Sequence, residues 1–281
     1  MNAVAEIVRR DWRLWLRQMA GIVAIELRRN AFSRRALFVY LLAAGPVLLM
    51  SLQLLLPVPR KVVEGIGGDN VLYAIFYRTF LLRLVVFFGC VGVFSRLFRG
   101  DMLERTLHYY LLCPVRREVL AAGKYLAGVA GNSLIFGLAT ALSFFLAHAV
   151  RGWSAALDFV LVGAGLGHLL AYLGVTVLAC VGYGAVFMLV GLFSRNPSIP
   201  AVVLLGWEYI NFLLPPLLKK FSVIYYLESL CPVPVPLGPI TILAEPAPLW
   251  MAVPGIMLVT AMILVVCSLR VRRLEISYTA E

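Results

Sequence analysis

The side chains that could do chemistry are few and far apart. The histidines are His108, His148 and His168. The last two sit near the ends of apolar runs and could face each other, but two imidazoles without a third protein ligand do not make a zinc site. The five cysteines, Cys90, Cys113, Cys180, Cys231 and Cys267, form no CxxC pair. Most of them lie in apolar runs, where cysteine behaves as a small hydrophobe. The one Gly-Lys pair, Gly123-Lys124, is followed by Tyr125, and Glu118 stands where a phosphate-binding loop needs its first glycine. The GxxxxGK[ST] pattern that cradles phosphates is therefore absent. Gly131-Asn132-Ser133-Leu134 approaches a GxSG nucleophile motif without its last glycine. His168 could serve Ser133 as a base, but the final apolar run has no histidine, and Ser133 reads better as a small residue at a helix contact. No catalytic residue and no metal ligand is assigned.

Charges inside apolar runs are the stronger signal. Arg78, Arg83 and Glu208 each interrupt one, with Asn211 one turn after Glu208. An arginine near a bilayer centre costs about 2.5–3.5 kcal/mol on insertion scales, so such a residue faces a partner or a watery path, or snorkels to the surface. Glu208 and Asn211 are expected to face a cavity with Arg83 near, and the four residues are the candidate substrate pathway.

The elements that must hold these residues are membrane helices. Apolar residues make up 62% of the 281, and charged residues only 14%. A soluble domain is nearer 45–50% and about 25%, so the excess needs lipid as solvent. The net charge of +11 is compatible with nucleic acid, but the basic residues cluster between apolar runs, which is the pattern that orients membrane proteins. Six spans are expected, near 36–56, within 71–98, near 125–149, within 159–193, near 198–214 and near 249–269. The segments on one side of that arrangement carry 18 of the 25 Lys and Arg, and those on the other carry five. Both termini are thus expected in the cytoplasm of a multi-pass protein of the cell (inner) membrane.

Three segments outside the spans are patterned. Residues 1–35 mix Arg9, Arg10, Arg13, Arg17, Arg28 and Arg29 with Trp12, Trp15 and Leu16. They predict an amphipathic helix at the cytoplasmic interface, its tryptophans at headgroup depth. In the loop 95–124, Leu103, Leu107, Tyr110 and Leu111 share one helical face, and Asp101, Glu104, Arg105 and His108 another. That is a surface helix with a buried stripe, ended by Pro114. Residues 215–248 hold eight prolines around an apolar run at 221–230 that is too short to span, and predict an external re-entrant hairpin. The resulting fold class is an all-α membrane protein. A segment 1–35, a six-span domain 36–269 and a basic tail 270–281 make up the chain.

The same loop resembles that of ABC-2 type transporter permeases. Glu104, Thr106, Leu107, Pro114, Arg116, Arg117 and Lys124 match the family's order of an acidic residue, a Thr-Leu pair, a Pro-x-Arg/Ser-Arg segment and a lysine entering span three. Ile25-Glu26-Leu27-Arg28 before span one, and Gly191-Leu192-Phe193-Ser194-Arg195-Asn196-Pro197 after span four, are also similar. The resemblance covers roughly residue 20 to the C-terminus. The long tryptophan-bearing N-terminus, Arg78 and Arg83 depart from the usual pattern. The resemblance implies a permease subunit of an ATP-driven exporter, with no cofactor of its own. ATP and magnesium would sit on a separate ATP-binding subunit. Its coupling interface would comprise Asp101, Glu104, Arg105, Thr106, Leu107, Pro114, Arg116, Arg117 and Asn196. A second permease copy or related permease and membrane lipid would be the other partners, and nucleic acid would not be one. The competing readings are a membrane assembly or anchoring protein without transport, and an intramembrane protease.

Overall fold

A computed structural model describes residues 2–31, 34–55, 65–103, 115–194, 196–211, 215–235 and 248–272. Every regular element among them is helical. In chain order these are α1 (Asn2–Ala31), α2 (Arg34–Leu55), α3 (Gly65–Phe76), a π-helical stretch (Tyr77–Val86), α4 (Phe87–Phe94), α5 (Arg99–Leu103), α6 (Arg117–Ala149), α7 (Trp153–Leu161), α8 (Gly165–Phe193), α9 (Ser198–Ile210), α10 (Pro216–Lys219), α11 (Val223–Ser229) and α12 (Leu249–Arg272).

Among the described residues, five helical stretches are long and apolar enough to cross a bilayer: Ala36–Leu55, Gly68–Phe94, Arg117–Ala149, Gly165–Phe193 and Trp250–Arg272. The chain is a multi-pass membrane protein. Among the described residues, the expected fifth span is present as the 13 residues of α9. At 1.5 Å per residue it reaches about 20 Å, short of a hydrocarbon core of about 30 Å. The expected fourth span, within 159–193, is split. It breaks at residues 162–164, leaving α7 folded against α6 and α8 and only α8 long enough to span. A turn at Val150–Gly152 closes α6, where Gly152 takes φ 116°, a conformation that favours glycine.

Small residues let the long helices touch. Phe136 on α6 packs on Gly89, and Phe94 sits between Gly128 on α6 and Gly184 on α8. Around them an aromatic seam runs from Tyr73 and Phe144 through Tyr77 and Tyr172 to Phe87, Tyr183 and Phe187. The hydroxyls of Tyr73 and Tyr77 are bonded, whereas those of Tyr172 and Tyr183 make no hydrogen bond among the described residues. Tyr77 donates to the Tyr172 carbonyl at 3.0 Å and pairs with Thr176 Oγ1 at 2.9 Å, and Thr176 lies 3.2 Å from Thr140 Oγ1.

At one end of the bundle, Asp69 pairs with Arg151, and Asn70 Oδ1 meets His148 Nε2 at 2.9 Å. The hydrogen bond from Arg151 to Asp69 holds that guanidinium above its usual pKa. His148 and His168 do not face each other directly, because the Phe159 ring lies against both. No metal-ligating cluster occurs among the described residues.

Candidate functional site

The N-terminal helix is tied into the bundle at a buried cluster of charges. Along α1, Trp15, Ile22, Glu26 and Leu27 meet Arg116, Gly123, Lys124 and Gly131 of α6 in that order. The two helices therefore run side by side in the same direction. Gly123 is required there, since a Cβ would come within 2.9 Å of Ile22. Lys124 reaches this contact from α6 and pairs with Glu26, and its Nζ lies 2.6 Å from Asp101 Oδ2 on α5. Arg29 closes the group, 2.8 Å from Asp101 and 3.6 Å from Glu26. Lys124 and Asp101 have no exposed side-chain surface, and Glu26 has 1%. Among the described residues two cations face two anions, and their mutual attraction offsets the desolvation cost of burying charge.

This quartet stands at the root of the patterned loop. Glu104, Arg105, Thr106, Leu107 and Pro114, expected to contact an ATP-binding subunit, lie outside the described residues. Asp101, expected among them, is turned inward and bonds Lys124 and Arg29 instead. Arg116 is exposed and stacks on the Trp15 ring at 4.4 Å, and Arg117 donates to the Arg272 carbonyl at 2.8 Å. Asn196 is exposed in the turn between α8 and α9.

A second polar centre lies where the expected pathway residues meet. Arg78 and Arg83 both project from the π-helical stretch, a winding that occurs mostly as short insertions at functional sites. Arg78 donates to the Val233 carbonyl at 3.1 Å, and Arg83 Nη2 lies 2.5 Å from Glu228 Oε1. Arg83 also stacks on Tyr209 of α9 at 5.2 Å. Glu208 accepts hydrogen bonds from Ser222 Oγ at 2.7 Å and from the backbone N–H groups of Val223 and Ile224 at 3.2 and 3.1 Å. It thereby caps the start of α11, whose own Ser222 makes no such cap. The expected cavity is small, about 220 Å³, between Phe87, Tyr183, Phe187, Trp207, Glu208 and Val223.

The structure thus brings Arg83, Glu208 and Asn211 to one region, as the sequence suggests, but commits the charges to the chain itself. Asn211 is buried, and its Oδ1 has no hydrogen-bond partner among the described residues. The receiver is the 222–233 segment, wedged between α8 and α12, where Val223 lies beside Gly182 and Tyr226 beside Gly255. No known protein family, curated protein or solved structure matches the chain. What the arrangement can do must be argued from its own geometry. Ser133 makes no hydrogen bond among the described residues, to a histidine or otherwise, so a Ser–His pair is not assembled there.

Sequence reasoning missed Glu26, Arg29 and Glu228 as partners. The signal for the first was available: Glu26 is the one acid between residues 12 and 31, and Lys124 opens an apolar run. A lone charge in such a setting needs a counter-charge. Glu228 sits in a segment too irregular for its direction to be read from spacing.

Proposed function

We propose that this chain is the membrane-spanning permease subunit of an ATP-driven exporter of the ABC-2 type, driven by a separate ATP-binding subunit through the 95–124 loop, with residues 104–114 at its tip. The observation that supports the reading is the buried Glu26–Arg29–Asp101–Lys124 quartet. It joins both sides of that tip, α5 before it and α6 after it, to the N-terminal helix. A loop rooted so firmly transmits a push to whole helices, which is what a coupling element needs. Force applied at 104–114 would move α1 and α6 together.

In this reading both termini are cytoplasmic, α1 runs beside the cytoplasmic start of α6 instead of lying flat at the interface, and Asn196 adds a second contact to the ATP-binding subunit. Glu104, Arg105, Thr106, Leu107 and Pro114 form the contact proper, Asp101 holds its root, and Arg116 and Arg117 flank it. The short α9 acts as the fifth membrane helix, with the 215–235 segment re-entering the outer leaflet beside it. Arg78, Arg83 and Glu208 then act on the substrate path through the segment they hold, and Asn211 adds a carbonyl oxygen that has no hydrogen-bond partner among the described residues. A second permease copy completes the path.

The test is a photo-crosslinking residue at Leu107, installed in the full chain in its native membrane. Crosslinks to a protein with a phosphate-binding loop, changed in yield by ATP, support the reading. Crosslinks confined to lipid or to the chain itself, with or without ATP, refute it.

A further inference from the structure

The pocket beside Glu208 is mostly apolar, which makes its two polar groups informative. The rings of Phe87, Phe187, Trp207 and Phe221 line it, together with Tyr183 and Glu208. Phe87 meets Tyr183 and Phe187 edge-on, with ring centroids 5.3 and 4.9 Å apart, so this wall is set by packing within the chain. Phe221 is exposed, and the pocket opens beside it. Its volume is about 220 Å³. A cavity of about 150 Å³ takes a benzene ring, and drug-sized molecules need about 300 Å³ or more. The pocket therefore fits one ring or a short branched chain with a polar end.

The two polar groups define that end. Tyr183 is 1% exposed, and its hydroxyl has no hydrogen-bond partner among the described residues. A buried hydroxyl left in that state is uncommon. Glu208 is also buried. Its Oε2 accepts from Ser222 Oγ and the Ile224 N–H, but its Oε1 only from the Val223 N–H, at 3.2 Å. A carboxylate oxygen accepts about two hydrogen bonds, so Oε1 has room for another. No cation pairs with Glu208 among the described residues, and Arg83 is taken by Glu228. A buried carboxylate without a counter-ion favours a cation, and aromatic walls add to that preference.

We propose that this pocket binds a primary ammonium group carried on a small aromatic or branched apolar body. The ammonium has N–H donors for both Glu208 Oε1 and the Tyr183 hydroxyl, and the rings hold the body. Such an amine is amphiphilic and reaches the pocket from the side of Phe221. The site needs only this chain, so it stands or falls separately from coupling to an ATP-binding subunit.

The purified full chain, in phosphatidylcholine nanodiscs, is equilibrated with radiolabelled 2-phenylethylamine, and empty nanodiscs measure partition into lipid. One amine per chain should bind saturably. 2-Phenylethanol, of nearly the same shape without the charge, should bind about ten-fold more weakly. Glu208→Gln should remove that preference, and Tyr183→Phe should weaken amine binding about three-fold. Tyr183→Phe deletes a hydroxyl that has no partner among the described residues and should fold as the native chain does. It keeps the test decisive if Glu208→Gln, at the cap of α11, fails to fold. Asp69→Asn removes a carboxylate at the Arg151 pair and should leave binding unchanged. Equal binding of amine and alcohol, or no binding above empty nanodiscs, would overturn the proposal. So would a preference that survives Glu208→Gln, native affinity in Tyr183→Phe, or loss of binding in Asp69→Asn.

Discussion

Replacing Lys124 with methionine keeps the side chain's length and removes its charge. In the native protein Lys124 pairs with Glu26 and lies 2.6 Å from Asp101, with all three side chains 99–100% out of solvent. Among the described residues, the variant leaves two buried carboxylates facing Arg29, which is 35% exposed. Breaking a buried pair by removing one partner costs about 3–5 kcal/mol, because the orphaned charge has lost its water and its counter-ion. At roughly 2–4 °C per kcal/mol for a chain of this size class, the melting temperature in detergent should fall by about 6–20 °C. The informative companion is Lys124→Met/Asp101→Asn. That double variant leaves Glu26 facing Arg29, one charge against one, and should recover more than half of the loss. Thermal unfolding followed by tryptophan fluorescence measures both. A single variant costing under about 1 kcal/mol would refute the claim that the quartet locks α1, α5 and α6 together. A double variant no better than the single would refute it equally.

Three further outcomes follow from the packing. Arg83→Gln removes a charge-assisted contact to Glu228 worth about 1.5–3 kcal/mol, and amide hydrogen exchange should quicken in 222–233 while α6 and α8 stay protected. Gly191→Ala drives a Cβ into the backbone carbonyl of Ser95 and should cost about 1–3 kcal/mol in thermal unfolding, whereas Gly174→Ala meets nothing within 4 Å and should be neutral or stabilising. Tyr77→Phe deletes the hydroxyl shared with Tyr172 and Thr176 and should lower stability by about 0.5–1.5 kcal/mol, read by the same melt.

The multi-pass architecture was legible because lipid imposes length and composition directly. The runs ending at Leu55, Ala149 and Phe193 stand out from hydropathy alone. Where a helix must break was less legible. Gly163 sits in an apolar stretch that reads as continuous, and the split into α7 and α8 follows from packing Phe159 against His148. The π-helical winding at Tyr77–Val86 has no sequence signal of its own. For the site, the cost of Arg83 and Glu208 in an apolar run signalled that each needs a partner, and the structure gives each one. It could not name their partners, because Glu228 and Ser222 come from a proline-rich segment with no periodicity. Asp101 shows the limit of face-by-face reading: its helical face suggested solvent, yet Lys124 draws it inward.

The central claim is that an ATP-binding protein drives this chain through the loop rooted at the quartet. Affinity purification of the full chain from its native membrane tests it most directly. The account predicts a stoichiometric partner with a phosphate-binding loop, lost when Glu104 and Arg105 are mutated together. Recovery of the chain without such a partner, under conditions that preserve known membrane complexes, would contradict it.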